Sequence, residues 1–196
     1  MKRLQRLRRT DQLRNMLAET TFGVDQLIQP LFIVEGISHN EPIPGLIGNE
    51  RMTIETAKKQ IEADLKSGVK QYMLFIVPSE KRTSKFNNHF GQSAIKAIKD
   101  SFGQDLTLWV DTCLCSLTTT GHCCVSDDND QPDLDLTLKE ICDLSLRYAE
   151  AGCDGVAPSD MNDGRVSAMR QTLDENRFSL LPVSYTHLTL PTNREV

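Results

Sequence analysis

The sequence has no hydrophobic run long enough to cross a membrane, because a spanning helix needs about 20 consecutive apolar residues. The segment from Met1 to Arg14 also lacks the apolar centre of a secretory signal. There is no surplus of positive charge either, since 22 basic and 27 acidic residues give a formal net charge of −5. General nucleic-acid and membrane-surface binding normally go with a basic surplus. We therefore expect a cytoplasmic protein whose partners include neither nucleic acid nor membrane.

The sequence also lacks the even spread of cysteines that marks a small secreted disulfide scaffold. Four of its six cysteines lie in the single segment 113–124, and the other two, Cys142 and Cys153, lie in apolar surroundings. Clustered cysteines in an intracellular enzyme are more often metal ligands than disulfide partners. The distribution therefore predicts a metal site.

Apolar runs of strand length alternate with amphipathic segments along most of the chain. Predicted strands cover residues 27–34, 71–77, 106–111 and 153–158, with a bulge or strand start expected at Pro30. Predicted helices cover residues 53–67, 91–102, 136–151 and 160–173. The strands show little polar alternation, which is typical of parallel strands buried on both faces.

Repeated β-α units of this kind form either a doubly wound sheet or a (β/α)₈ barrel of the TIM type. No Gly-x-Gly-x-x-Gly follows the first strand, so the dinucleotide-binding sheet lacks its main motif. Barrel enzymes carry their chemistry at the C-terminal strand ends, where this sequence has Asp111 and Ser159. We predict an N-terminal arm at 1–22 and an α/β barrel at 23–182. Because a full barrel takes about 250 residues, only about its first half is expected here.

The cysteine-rich segment 111–124 (DTCLCSLTTTGHCC) has the spacing of a metal-binding loop. Cys113 and Cys115 point to the same side of an extended chain, and Cys123 returns from the following loop as a third thiolate. Three thiolates suit Zn²⁺ and leave a fourth tetrahedral position for water or substrate, as in catalytic zinc sites. The alternative is that these cysteines are small buried hydrophobic side chains. The adjacent Cys124 is predicted to point away from the metal.

Three residues near this loop are candidates for catalysis. Asp111 ends a buried strand, where a carboxylate can hold a substrate amine, transfer protons, or merely orient backbone amides. His122 is either a proton carrier near the metal or an ordinary loop histidine. Ser159 opens the predicted fourth helix together with Asp160, and Asp163 follows in its first turn, so capping alone would account for them.

Five segments of the chain occur in the order in which one enzyme family has them. They are residues 6–9 (RLRR), 30–36 (PLFIVEG), 74–78 (LFIVP), the cysteine motif at 111–123, and 157–165 (APSDMNDGR). Between about residues 6 and 182 the chain thereby resembles the porphobilinogen synthases, also called 5-aminolevulinate dehydratases.

The resemblance implies a specific activity and a specific assembly. Members condense two molecules of 5-aminolevulinate into porphobilinogen with loss of water, in tetrapyrrole and haem synthesis, and zinc helps to bind and polarise the second substrate. Cys113, Cys115 and Cys123 would be the zinc ligands, and Asp111 and Ser159 would line the substrate site. Members form homo-oligomers, commonly octamers, with the arm embracing a neighbour, and many also use Mg²⁺.

The end of the chain departs from the family pattern. The family's Schiff-base lysines lie on later strands, whereas this sequence has no lysine after Lys139 and has Leu188 in the lysine position of the Tyr-Ser-x-Lys pattern. A Schiff base requires an amine nucleophile that is neutral at working pH. Residues 183–196 resemble a translated sequencing adaptor, so we expect a non-native tail on a fragment that is inactive alone.

Two other functions remain open from the sequence. One is a naturally shortened, non-catalytic paralogue that binds zinc and associates with a full-length oligomer. The other is a different zinc barrel, such as a hydrolase. Such enzymes usually rely on histidine and carboxylate ligands, and only four scattered histidines occur here.

Sequencing genomic DNA across the codons for Pro182 and Val183 tests the expectation of a fragment. We expect the natural reading frame to continue into a Tyr-Ser-x-Lys strand and a second lysine-bearing segment, because the chemistry needs those amines. A genomic stop codon directly after Val196 would contradict this and favour the non-catalytic paralogue.

Overall fold

Four parallel strands, each followed or preceded by a helix, form the centre of the computed structural model, which describes residues 4–127 and 129–184. The central strands are β1 (Ile28–Val34), β4 (Gln71–Val77), β5 (Thr107–Asp111) and β8 (Gly155–Ala157). The helices are α1 (Asp11–Met16), α2 (Ile54–Lys66), α3 (His89–Phe102), α4 (Leu134–Glu150) and α5 (Arg165–Glu175). Shorter strands are β2 (Glu41–Pro42), β3 (Glu50–Met52), β6 (Val125–Ser126) and β7 (Pro132–Asp133).

The four central strands lie in the sheet in the order in which they occur in the chain. The sheet runs β2-β3-β1-β4-β5-β8, with parallel pairing from β3 to β8 and an antiparallel pair only between β2 and β3. A doubly wound sheet instead reverses its strand order partway along. Parallel strands that neighbour one another in chain order, as β1, β4, β5 and β8 do, are typical of a (β/α) barrel. The structure therefore confirms the predicted fold class as a partial barrel.

The strand pairing is regular through Pro30. β1 and β4 pair one residue to one residue from Ile28 with Gln71 to Val34 with Val77, and Pro30 lies opposite Met73. A bulge would place two residues against one. The bulge considered at Pro30 is therefore wrong.

The hydrophobic core lies between one face of the sheet and the helices. On β4, Tyr72, Leu74 and Ile76 are buried, and the alternate residues are half-buried. The same core contains Ala57 and Ile61 of α2 and, from α3, Ala94, Ile95 and Ile98. On the opposite face Phe32 and Phe75 stack with ring centroids 4.9 Å apart. The sequence predicted strands buried on both faces. The sheet face that packs on the helices is fully buried, and the opposite face is partly buried.

Several predicted element boundaries are wrong by two or more residues, including the start of α4, and two helix starts have a visible cause. Helix α3 begins at His89 rather than at residue 91, because the Asn88 side chain accepts a hydrogen bond from the Gly91 amide and caps it there. Helix α5 begins at Arg165 rather than at residue 160. Its N-cap is Gly164, whose φ of 74° lies in the left-handed region and interrupts any helix started earlier.

That second correction changes the role of the preceding residues. Asp160 and Asp163 were expected in the first turn of the fourth helix, but α5 has no acidic residue in its first turn. Ser159 and Asp160 instead lie in the connection after β8, which spans only Gly155–Ala157. Capping therefore does not account for either residue.

The predicted arm contains two short helical segments, at Leu4–Arg8 and in α1, and a third lies at Val24–Gln26 just before β1. Several of its apolar side chains face outward, with Leu7 51%, Met16 70% and Phe22 83% exposed. Residues 1–3 of the predicted arm lie outside the described part of the chain. No helix among the described residues combines the length and the apolarity of a membrane span.

The outer edge of β8 pairs with the last described residues. Val183 is buried and forms a parallel bridge with Val156, and the Ser184 amide donates to the Val156 carbonyl over 2.9 Å. Val183 and Ser184 thus occupy the place of the next parallel strand. The rest of the proposed foreign tail, 185–196, including Leu188, lies outside the described residues, so its origin stays a prediction.

A buried carboxylate on α4 fixes the loop that follows β4. Glu140 is only 4% exposed, and its two oxygens accept the backbone amides of Lys85 and Phe86 over 2.7 and 3.1 Å. Lys85 has a φ of 55°, a conformation that L-residues adopt only when neighbouring contacts hold them there. Glu140 therefore holds the β4–α3 loop against α4.

We expect Glu140→Gln to lower the free energy of unfolding by about 1–3 kcal/mol, because one buried amide would then face an NH₂ group instead of an acceptor. Urea denaturation measures the change. The control is Glu150→Gln, at the exposed end of the same helix, which should be nearly neutral. Equal stability of the two variants would contradict the role given to Glu140.

Candidate metal and substrate site

The candidate site lies where the central strands end. The C-terminal ends of parallel strands meet at one edge of the sheet, and there β5 ends at Asp111 and β8 at Ala157. The cysteine-rich loop 112–124, which we call the metal loop, follows β5, and Ser159 and Asp160 follow β8.

Three cysteine sulfurs of the metal loop converge. The Sγ atoms of Cys113, Cys115 and Cys123 all lie within 4.8 Å of one another, and Cys113 is buried while the other two are half-buried. Tetrahedral zinc with Zn–S bonds of about 2.3 Å holds its sulfurs at a comparable separation. The three predicted ligands are therefore close enough to share one metal ion.

Backbone turns bring the third sulfur back to the first two. The amides of Leu117 and Thr118 donate to the Leu114 carbonyl over 2.8 and 2.9 Å, which folds the chain into a turn just after Cys115. The Thr118 hydroxyl then donates to the His122 carbonyl over 2.8 Å and closes a second turn. Leu114 is fully buried, so the first turn is anchored in the core.

The crowded thiols do not share protons equally. Hydrogen bonds from the Cys115 thiol, the Cys115 amide and the Cys123 thiol lower the pKa of Cys113 to about 6. The hydrogen bond with Cys113, together with burial, raises the pKa of Cys115, and burial is the first cause that raises the pKa of Cys123 to about 11. Without a cation the cluster thus holds one thiolate and two thiols. A divalent metal would displace the remaining protons.

Asp111 and Ser159 are brought together beside this cluster. Burial raises the pKa of Asp111, a hydrogen bond with the Ser159 side chain lowers it, and the nearby Asp160 carboxylate raises it again. A carboxyl with a raised pKa can exchange protons nearer to neutral pH. Both residues therefore lie where the sequence predicted a substrate site, although Ser159 itself is exposed.

Asp160 and Asn162 form a network that the sequence did not indicate. The side chain of Asp160 is fully buried, and its Oδ1 accepts the Asn162 amide at 2.8 Å and the Asn162 side chain at 2.6 Å. The same Asn162 side chain donates to the carbonyl of Cys123 over 3.1 Å. Asn162 thus ties the third cysteine to the end of β8. Asn162 lies within the family-like segment 157–165, but no periodicity in the sequence indicated this role.

His122 contributes its backbone rather than its ring to the described contacts of the loop. Its carbonyl accepts the Thr118 hydroxyl and its amide donates to Thr120 Oγ1 over 3.3 Å, while the residue as a whole is exposed. A catalytic role for His122 stays a prediction. Cys124 lies outside the three-sulfur group and lines a neighbouring cleft of about 510 Å³, which agrees with its predicted orientation away from the metal.

The loop after β4 forms another wall of the site, which sequence analysis missed. Lys81 donates from Nζ to the Ser116 carbonyl of the metal loop. In (β/α) barrels the functional residues gather at the C-terminal strand ends, and β4 is one of these strands. The position after Pro78 was therefore a signal in the sequence for a functional residue in this loop.

Comparison with known proteins agrees with this geometry. The sequence family described as delta-aminolevulinic acid dehydratase matches residues 1–187. A dehydratase of that name from Ruminiclostridium josui is 39% identical over 187 residues, covering 93% of this chain and 90% of the relative. The one from Methanothermus sociabilis is 36% identical, covering 94% of this chain and 58% of the relative.

A solved structure has the same fold. The delta-aminolevulinic acid dehydratase (porphobilinogen synthase) of Toxoplasma gondii, in complex with the reaction product porphobilinogen, superposes with a TM-score of 0.85 at 30% identity. The superposition covers 93% of this chain and 53% of that one. The chain thus spans little more than half the length of the Methanothermus and Toxoplasma proteins.

Strand order and site position together define a partial (β/α) barrel with a thiol cluster at its C-terminal strand ends. Within that class, the match over residues 1–187 and the identity to the curated relatives are decisive. The chain belongs to the delta-aminolevulinic acid dehydratase family.

The thiol cluster predicts a thiolate that forms at unusually low pH. In the metal-free chain we expect thiolate ultraviolet absorbance to appear with a midpoint near the lowered pKa of Cys113, about 6. The double variant Cys113→Ser/Cys115→Ser should abolish it, whereas Cys142→Ser, which removes a thiol whose pKa burial raises, should not. A first thiolate appearing only near pH 8.5, as for an ordinary cysteine, would contradict the cluster geometry.

Proposed function

We propose that this chain supplies the metal-binding and part of the substrate-binding half of a porphobilinogen synthase. Such an enzyme condenses two molecules of 5-aminolevulinate to porphobilinogen with loss of water in tetrapyrrole synthesis. The observation that carries the proposal is the convergence of Cys113, Cys115 and Cys123 within 4.8 Å at strand ends that also hold Asp111 and Ser159. This combination agrees with the residues that the family resemblance assigns to zinc and to substrate.

The donor set favours zinc as the metal. All three side chains are thiols, and soft thiolate ligands select zinc over magnesium or calcium, which take oxygen ligands. Three protein ligands leave one tetrahedral position for water or substrate. When bound, the ion would act as a Lewis acid on a substrate carbonyl. We propose zinc on these grounds and retain magnesium only as an expectation from the family, because the described residues contain no second cluster of three ligand side chains.

The chain's own carboxylate supports proton transfer in the same place. Asp111 is raised in pKa chiefly by burial and shares a hydrogen bond with Ser159. It is therefore suited to accept a proton from a substrate ammonium or from a carbon next to a carbonyl, and later to return it. Ser159, at the exposed mouth of the site, would orient that carboxyl and contact substrate.

The Schiff-base chemistry of the family requires lysines, and this chain has none in the positions where the family has them. The resemblance implies Schiff-base lysines on later strands, and the last lysine here is Lys139 on α4. We therefore propose that the 196-residue chain forms no porphobilinogen by itself. The exposed apolar side chains of the arm support a further proposal, that the parent protein is a cytoplasmic homo-oligomer, commonly an octamer in this family.

A chimeric enzyme tests the proposed function. Residues 1–182 are joined to the remaining C-terminal part of the Methanothermus sociabilis relative, which should supply the missing lysines. We expect porphobilinogen from 5-aminolevulinate, zinc-dependent and reversible by chelation. Because Lewis-acid stabilisation is worth several kcal/mol, Cys115→Ser should lower the rate roughly 100-fold or more.

Two controls complete this design. Cys142→Ser, on α4 and outside the thiol cluster, should leave activity within a few-fold of the parent chimera. A folded, zinc-loaded chimera without turnover would contradict the proposed substrate role and favour the non-catalytic zinc-binding paralogue. Turnover that survives both chelation and Cys115→Ser would contradict the proposed metal.

A further inference from the structure

Lys81 is a cation beside the metal loop to which the family resemblance assigns no role. It lies in the loop after β4, and its ammonium group donates to the backbone carbonyl of Ser116, the residue next to Cys115. Its charge also interacts with the thiol cluster: burial lowers the pKa of Lys81, while Cys115 and then Glu35 raise it. The ammonium thus lies close enough to the second cysteine for their charges to interact.

Backbone pairing holds the Lys81 loop and the metal loop in register. The amide of Arg82 donates to the Leu117 carbonyl over 2.9 Å, and the amide of Thr119 donates to the Arg82 carbonyl over 3.0 Å. Arg82 and Thr118 thereby form a parallel bridge outside the main sheet. Because the two loops are paired at the residue next to Lys81, its side chain is held where it reaches the Ser116 carbonyl of the metal loop.

The other side of the Lys81 loop is anchored as well. The amide and the hydroxyl of Ser79 both donate to Glu35 Oε2 over 2.8 Å, which ties the loop to the end of β1. Further along, the Lys85 amide is held by buried Glu140. Lys81 is therefore carried by a loop fixed at both ends rather than by a free surface segment.

The net charge of the proposed metal site makes a nearby cation such as Lys81 favourable. Three thiolates around a divalent cation carry a net charge of −1, and a nearby ammonium offsets that charge. We propose that Lys81 is a positioning residue for the metal site, whose ammonium holds the Ser116 backbone and compensates thiolate charge, and thereby strengthens metal binding. This inference rests on the proposed zinc site and adds a residue to it.

The solvent exposure of Lys81 determines how much its removal should weaken metal binding. Partners that orient metal ligands typically change metal affinity by about 10–100-fold when they are removed. Lys81 is partly exposed to solvent, which screens its charge. We therefore expect the lower end of that range.

Zinc affinity of the 196-residue chain tests the proposal, measured by competition with a chromophoric chelator at low and high salt. Lys81→Met should weaken zinc binding about 10-fold. Lys81→Arg should restore most of it, since it keeps the charge and the donor. Lys81→Gln keeps a donor without the charge and should fall between the two. The matched control is Lys85→Met, an exposed lysine of the same loop whose contact with Glu140 is made by its backbone.

The salt dependence distinguishes charge compensation from a merely structural role. The difference between wild type and Lys81→Met should shrink at high salt, because screening removes the contribution of the charge. Thermal unfolding of the metal-free variants should give nearly equal midpoints. A lower midpoint for Lys81→Met with full affinity for Lys81→Gln would overturn the charge role.

The remaining outcomes separate this inference from the function on which it rests. If the wild-type chain and all variants bind one zinc equally tightly, the role of Lys81 is overturned and the metal site stands. If wild type binds no zinc while remaining folded, the proposed metal site fails first. Equal weakening by Lys81→Met and Lys85→Met would overturn the specific role of Lys81, because it would indicate only a general effect of net charge.

Discussion

The parallel backbone pairing of β1, β4, β5 and β8, neighbour to neighbour in chain order, brings the carboxyl ends of all four strands to one edge of the sheet. Every functional candidate depends on that pairing. Asp111 ends β5 and the metal loop follows it, Ser159 follows β8, and Lys81 follows β4. Residues far apart in sequence therefore share one small volume because the strands share one direction. The pairing of Asp111 with Ala157 places Asp111 beside the segment that contains Ser159, two residues after Ala157.

The electrostatic state of the site follows from crowding more than from any single contact. Three thiols within 4.8 Å, with Asp111 and Asp160 nearby, form a group that resists full deprotonation. One thiolate is tolerated because its neighbours donate hydrogen bonds to it. The thiol cluster favours one negative charge and resists three, so a divalent cation is needed to stabilise the fully deprotonated form. Asn162 holds the metal loop at Cys123, and Lys81 holds it at Ser116.

The sequence predicted the fold and the cysteine group because both depend on local patterns. Continuous apolar runs indicated parallel strands, and the spacing of Cys113 and Cys115 indicated a shared ligand direction. The start of α5 could not be predicted, because the Asp160 carboxylate accepts hydrogen bonds from Asn162 and Gly164 adopts a left-handed conformation. Both features stabilise a loop at the predicted start of this helix. Lys81 was missed although it follows β4, because its contact with the Ser116 carbonyl joins two loops that are distant in sequence.

All three sulfurs of the proposed metal site come from one uninterrupted loop, residues 113–123, held on strands that precede α4. Closing a short loop costs little chain entropy, so the site can form without distant parts of the polypeptide. Domains generally fold from the amino terminus as they emerge during synthesis. A metal ion bound by these sulfurs would be captured while the chain is still being made, and its binding energy would then be available to the folding of the strands that follow.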